Sequence, residues 1–322
     1  MLYGAFLLLT LMYLLFIEDN FYQADKSRII PVMMAGISLY LLFLDPFFVR
    51  VLRSAGFPPI LVSTFLALVA IMMMALTLRS ISIKTVLRLL GLFLIPSITL
   101  TVLKRPSHFV WFDLIVLVFV FAANKRLVRL TLFQRGVVRT DGIYLLSMVN
   151  ILYLYTIYRA IELQLKLTWG DLILALGAAF VATVVSFYIG RRFRLFRFTY
   201  RPVNFRDLFI AAVHSFLFIA FGEEFFFRFS FFNIFNTLIP GWTPWFGLLL
   251  STFFFGGVHF AGGFRHVLIS IFLGFIIGMI YIVTQSLSAA IITHGLATVI
   301  RILYVDFSLT AEPAVETGLG EG

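Results

Sequence analysis

A chain of 322 residues is long enough for two soluble domains, but 61% of it is hydrophobic, 12% is charged and its mean hydropathy is +1.04, which excludes a water-soluble globule. The formal charge of +10 would suit nucleic acid in a soluble protein. Here the Lys and Arg lie between apolar runs, where they report membrane topology and contact anionic headgroups, and the absence of Cys removes disulfides, thiolate metal sites and a cysteine nucleophile.

Runs of about 17 to 25 apolar residues, each enough to cross some 30 Å of hydrocarbon as a helix, recur along the chain. In order they cover 2–17, 29–49, 58–78, 86–103, 108–123, 141–161, 170–189, 207–238, 245–262, 266–284 and 286–305. The fold class is therefore all-α, a polytopic transmembrane bundle of ten or eleven spans. The short alternating strands of an outer-membrane barrel are missing. Two stretches also read as shorter or re-entrant segments: 29–49, with Pro31 and a closing Asp45-Pro46, and 86–103, with Arg88 and Pro96. The first span has neither a preceding basic residue nor a small-residue cleavage site, so it reads as a retained helix.

Two loops are strongly basic, one with Lys125, Arg126, Arg129, Arg135 and Arg139, the other with Arg191, Arg192, Arg194, Arg197, Arg201 and Arg206. Both are expected in the cytoplasm, which gives an external N-terminus and a cytoplasmic C-terminus in a bacterial-type cytoplasmic membrane. Three regions follow: an N-terminal helix bundle over 1–190, a core over 200–305 that holds the intramembrane Glu, His and Arg, and an acidic tail over 306–322 that reads as disordered.

The segment Ala220-Phe221-Gly222-Glu223-Glu224-Phe225-Phe226-Phe227-Arg228-Phe229-Ser230 sets two carboxylates and a guanidinium inside a phenylalanine-rich helix. Each ionised group at the bilayer centre costs about 2.5–3.5 kcal/mol on insertion scales, so such a cluster needs partners, a wet cavity or a function. Residues four apart share a helix face, so Glu224 and Arg228 are expected to pair, whereas Glu223 lies about 100° round the helix. Phe255 and His259 stand at i, i+4 on the next helix, and His294, Thr298 and Arg301 share a face of the last. Taken singly, each His reads as hydrogen-bonded core and the Glu224–Arg228 pair as a device that makes a polar helix tolerable. Together, one Glu and two His on three helices are what a water-activating site needs. The Glu serves as general base, and the imidazoles hold a metal or hydrogen-bond the water and the developing oxyanion. Counted along ideal helices, Glu223 falls near mid-span, His294 about 12 Å and His259 about 20 Å from the outer ends of theirs. Those depths coincide only with tilt or a kink at Gly256-Gly257.

Glu223-Glu224-x-x-x-Arg228, then Phe255-x-x-x-His259, then His294-x-x-x-Thr298 resembles the motif set of the CAAX prenyl protease and bacteriocin-processing (CPBP, or Abi) family of intramembrane proteases. Phe272-Leu273-Gly274-Phe275-Ile276-Ile277-Gly278 looks like the glycine-spaced helix that the family places between its second and third motifs, and Ser286-Leu287-Ser288-Ala289 like the lead-in to the last. The resemblance covers 205–305. It implies an intramembrane endopeptidase that hydrolyses a peptide bond of a membrane-associated protein or peptide, with Glu223 activating water, His259 and His294 positioning it, and Glu224 with Arg228 behind them. In the eukaryotic branch the substrate is a prenylated CAAX protein, and bacterial relatives include immunity and peptide-maturation proteins. Glu223, His259 and His294 would also suit Zn²⁺ with an open position, in which case another group must act as base. Where the CAAX-processing enzymes often carry Asn four residues after the last His, this chain has Thr298, a shorter oxyanion donor.

His214 and His266 read as structural and interfacial, and His108, Asp113 and Asn150 as contacts between helices. Ser147, Ser186, Ser215, Ser230 and Ser251 have no Gly-x-Ser-x-Gly setting, which argues against a serine mechanism. Two rival functions remain at this stage: a transporter or proton relay, whose polar groups would be strung from face to face, and a non-catalytic immunity or scaffold protein of the same fold.

Overall fold

The computed structural model describes residues 46–77, 82–103, 108, 110–120, 122–123, 146–193, 196–198, 202–239, 244–260 and 263–306. The span expected at 2–17, most of that at 29–49, the first basic loop and the tail after Asp306 lie outside them. The described helices are α1 Pro46–Ala55, α2 Pro59–Thr77, α3 Ile83–Val102, α4 Trp111–Val120, α5 Leu146–Tyr158, α6 Trp169–Arg192, α7 over 205–238, α8 Pro244–Gly257, α9 Phe264–Thr284 and α10 Leu287–Tyr304. Five of these segments are long and apolar enough to cross a membrane, Ile83–Val102, Trp169–Arg192, Asp207–Thr237, His266–Thr284 and Leu287–Tyr304, and α2, α4, α5 and α8 carry shorter apolar stretches. The protein is an all-helical integral membrane protein, and each helix from α2 onward falls on an expected span. The re-entrant alternative for 86–103 is not taken up: α3 runs unbroken through Pro96.

Contacts divide the chain into two units. The first takes the described residues of Met1–Leu163 with Asn233–Pro240, the second those of Gln164–Phe232 and Gly241–Gly322. In the first, α2 packs on α3, and α5 packs on α1 and α2. Its polar contacts are buried and local to it. Asn150 accepts from the Ser63 hydroxyl at 2.6 Å and donates to the Phe93 carbonyl at 3.1 Å. Asp113, fully buried, takes the guanidinium of Arg159, the Tyr155 hydroxyl at 3.0 Å and the backbone N–H of Val110 at 2.6 Å. These are the interhelical contacts expected of Asp113 and Asn150.

In the second unit α6 and α10 run parallel, tied at both ends. At the start, Ser286 caps α10 by accepting from the Ala289 N–H and donates its hydroxyl to the Lys166 carbonyl at 2.6 Å, while Ser288 donates to Leu165 at 2.8 Å. Thr168 and Asp171 close a capping box on α6, which satisfies two of its orphan amides. At the far end, two-residue strands β1 Arg197–Phe198 and β2 Val305–Asp306 pair antiparallel. Between the ties, α6 buries small residues, Ala175, Ala179, Ala182, Ser186 and Gly190, a stripe that lets backbones approach closely. Helix α9 packs on α6, α8 and α10, and the π-helical turn His214–Ala220 of α7 packs on α10.

The Asp113–Arg159 pair generates a stability prediction. Removing one partner of a buried, hydrogen-bonded ion pair costs about 3–5 kcal/mol because the other charge is left uncompensated. Asp113→Ala is expected to lower the thermal midpoint of the detergent-solubilised protein sharply, and Asp113→Asn with Arg159→Met to recover most of the loss.

Candidate active site

Helix α7 is assembled from alternating segments: α-helix Phe205–Val213, π-helix His214–Ala220, a short α-helical stretch Phe221–Glu224, π-helix Phe225–Phe232, and α-helix Asn233–Leu238. The two Glu residues sit on the four-residue stretch between the π segments, which widen the turn and re-aim side chains on either side of it. Every residue of Phe225–Phe232 is buried, as expected of a helix apolar on all faces.

Arg228 is fully buried within this phenylalanine shell. Its Nε lies 3.1 Å from Glu224 Oε2, the i, i+4 pair read from the spacing, and its Nη2 donates to the Gly274 carbonyl at 2.7 Å. The guanidinium also lies over the Phe255 ring, 4.7 Å from its centroid, a cation–π contact that desolvation strengthens. The other oxygen of Glu224 accepts from His294 Nδ1 at 2.6 Å. Arg228, Glu224 and His294 thus form one buried chain, in which the carboxylate fixes both the tautomer and the tilt of the imidazole.

With Nδ1 committed to Glu224, the His294 ring turns its Nε2 towards Glu223. That atom lies 3.8 Å from Glu223 Oε2. The distance is too long for a hydrogen bond and is of the kind that a water bridges. The two carboxylates differ in exposure: the Glu223 side chain is 16% exposed and that of Glu224 is 0%. Glu223 therefore faces open space, while Glu224 is part of the packed interior.

The open space is a cavity of about 50 Å³, bounded by Glu223, Phe255, His259, His294 and Thr298, with Thr183, Ser186, Ser270 and Arg301 further along its wall. All the expected site residues except the buried pair Glu224 and Arg228 face it. His259 follows the end of α8, where the helix tightens: the Val258 N–H reaches the Phe254 carbonyl at 3.1 Å and the His259 N–H the Gly256 carbonyl at 3.0 Å. Its Nδ1–H donates to the Phe255 carbonyl at 2.7 Å. Phe255 is in contact with the rest of the site: its ring centroid is 4.9 Å from that of His259 and 5.7 Å from that of His294. His266 stands beside His259 at 5.3 Å rather than at a free interface.

Three features escaped the sequence. The Gly274 carbonyl that holds Arg228 had a signal in the Gly274-x-x-x-Gly278 spacing, but not an assignment. Arg301, whose face helical spacing gives, has a place on the cavity wall that spacing does not give. Thr183 and Ser186 belong to a helix with no motif at all.

Zn²⁺ needs at least three donors converging at about 2.0–2.3 Å. Among the described residues no three His, Cys, Asp or Glu are grouped so as to hold a metal ion. The donor set as placed does not fit a bound zinc.

The Arg228 housing is testable through the glycine beneath it. A Cβ on Gly274 would lie 2.8 Å from the Phe255 ring and 3.2 Å from Arg228 Nη2, whereas one on Gly177 would meet nothing within 4 Å. Gly274→Ala is expected to destabilise by about 1–3 kcal/mol, the usual cost of overpacking, and Gly177→Ala to be neutral or stabilising, both read from thermal unfolding.

Residues 205–300 match the family described as "Type II CAAX prenyl endopeptidase Rce1-like". A search of curated proteins and one of solved structures return no match. Within its all-helical membrane bundle the chain thus carries, in residues 205–300, a segment that holds all three motifs in order and is similar to the CPBP family of CAAX-type intramembrane proteases.

Proposed function

We propose that the protein is a glutamate-dependent intramembrane endopeptidase acting on a membrane-associated protein or peptide, with Glu223 as the general base. The observation that carries this reading is that Glu223 Oε2 and His294 Nε2 face each other at 3.8 Å across a cavity that His259 and Thr298 also line. A water between them donates one hydrogen bond to each and turns a lone pair towards the scissile carbonyl. Glu223 takes the proton as the C–O bond forms, then delivers it to the amide nitrogen as the C–N bond breaks. The oxyanion needs donors. The Thr298 hydroxyl is one, and His259, whose Nδ1–H is held by the Phe255 carbonyl, donates from Nε2 when its ring is protonated. Glu224 and Arg228 are positioning residues: they act through the His294 ring.

Convergence on one cavity supports hydrolysis over a proton relay, in which acidic and imidazole groups would be spread across the membrane. The basic residues Arg191 and Arg192 lie in the last turn of α6, the end that the cavity runs towards, and we place that end, with the C-terminus, in the cytoplasm. The 1–190 region serves in this reading as a scaffold or substrate selector, and the substrate side chains and any lipid modification are set by the partner rather than by the motif.

Comparing the termini of membrane peptides from cells that express the full chain or its Glu223→Gln variant identifies the products. On those products Glu223→Gln and His259→Ala are each expected to lower the rate by about 10²–10⁴, the usual contribution of acid–base groups. Retention of full processing by both variants defeats the proposal. Glu224→Gln is expected to reduce kcat with little change in KM, because the ring it aims contacts the water rather than the peptide. Treatment with 1,10-phenanthroline is expected to leave the rate unchanged.

A further inference from the structure

The cavity extends well beyond the catalytic groups. On α10 its wall runs from His294 through Ala297, Thr298 and Arg301 to Val305, and on α6 it includes Thr183, Ser186 and Phe187. Because α6 and α10 are parallel, with the Thr293 hydroxyl on the Ala175 carbonyl at 3.2 Å, Thr183 stands near the level of Arg301, eight residues on along each helix. Thr183 and Ser186 thus lie about 10–15 Å from His294 along the axis, towards the β1–β2 end. They are too far away to touch the water that Glu223 activates.

Both hydroxyl oxygens are buried, and neither has a hydrogen-bond partner in the structure. In a transmembrane helix a Ser or Thr hydroxyl ordinarily satisfies itself on the carbonyl one turn back. Thr156 and Thr284 do so in this protein, at 2.6 and 2.7 Å. Thr183 and Ser186 instead face the cavity unsatisfied, which costs about 1–3 kcal/mol for each group unless something there bonds to it.

The size of the space selects the ligand. About 50 Å³, at roughly 10–15 Å³ of such volume for each water, holds three to five waters. Hydrogen-bonded at about 2.8 Å, that many waters span about 8–14 Å, the axial distance from His294 to the Thr183 and Ser186 level. Waters in such a row have the polar partners they require: Glu223 and His294 at one end, the Thr298 hydroxyl between, and Thr183, Ser186, Ser270 and Arg301 at the other. Phe196, packed on Gly190 with its ring where a Cβ would stand, at 2.0 Å, lines the far end.

We propose that Thr183 and Ser186 anchor a single file of water that runs between α6 and α10 from the β1–β2 end to Glu223 and resupplies the hydrolytic water. The supply role rests on the protease reading, whereas the file itself does not. It also assigns work to a helix that lies outside the family-matched segment.

The protein has no Cys, so a single introduced thiol reports its own surroundings. Ala297 lines the path between His294 and Arg301 without being placed in the chemistry, and Leu176 lies on an exposed apolar face of α6. In nanodiscs, Ala297→Cys is treated with Ag⁺, an ion of about the size of water, and the thiols that remain are counted with a fluorescent maleimide after denaturation. Blocking is expected to be at least about tenfold faster at Ala297→Cys than at Leu176→Cys. Adding Thr183→Val with Ser186→Ala, near-isosteric changes, is expected to slow it at least about fivefold at an unchanged thermal midpoint, and Thr183→Ser with Ser186→Thr to restore it. Reaction no faster than at Leu176→Cys, or a rate indifferent to the hydroxyls, overturns the file. Should Ala297→Cys not fold, Ser270→Cys on the same wall replaces it. The measurement reads hydration rather than cleavage, so a dry path sinks the file and leaves the Glu223 assignment standing. An active Glu223→Gln variant does the reverse.

Discussion

The ion pair between Arg228 and Glu224 is the contact on which the rest of the second unit depends. Neither group is tolerable in hydrocarbon alone, and both are fully buried. Pairing with one another does not exhaust either: the guanidinium needs further acceptors and the carboxylate further donors. Those needs recruit the Gly274 carbonyl from α9 and the His294 ring from α10, so that a charge problem on one helix fixes the position of two others. Gly274 of α9 follows from the same demand, since any side chain there would occupy the space of Phe255 or of the guanidinium itself. A buried salt bridge is weak evidence for stability but good evidence for registry, and here the register it sets is that of the imidazole facing Glu223.

The separation of the two adjacent carboxylates follows from that arrangement. Glu224 has its oxygens turned to Arg228 and His294 and takes no part in the cavity, whereas Glu223, one residue earlier and about 100° round the helix, opens onto it. Two identical side chains thereby receive different environments, one a packed interior and the other a cavity wall. The π-helical turns on both sides let α7 present the pair in this way without a break in the helix.

Much of this was legible in the residues. Apolar run length placed the helices because the bilayer, unlike water, leaves the backbone no alternative to internal hydrogen bonding. Spacing along a single helix gave the Glu224–Arg228 pair, and the shared face of His294, Thr298 and Arg301, since those relations depend only on helical period. What spacing could not give was anything requiring two elements at once. His259 and His294 come together at Phe255, which takes α8 set against α10, and the π segments of α7 altered a register assumed to be regular. Thr183 and Ser186, which carry no motif, acquired a place only through the pairing of α6 with α10. The described residues also group into units that cut across the sequence order, with 164–190 joining the second, and composition alone contains no mark of that grouping.

Phe255 has a consequence of its own. One side of its ring carries the guanidinium of Arg228, and the ring itself forms part of the cavity wall beside both histidines. It therefore touches the buried cation and the cavity at once. A side chain with nothing to ionise thus ties the packing of the structural charge to the shape of the space that Glu223 and both histidines line.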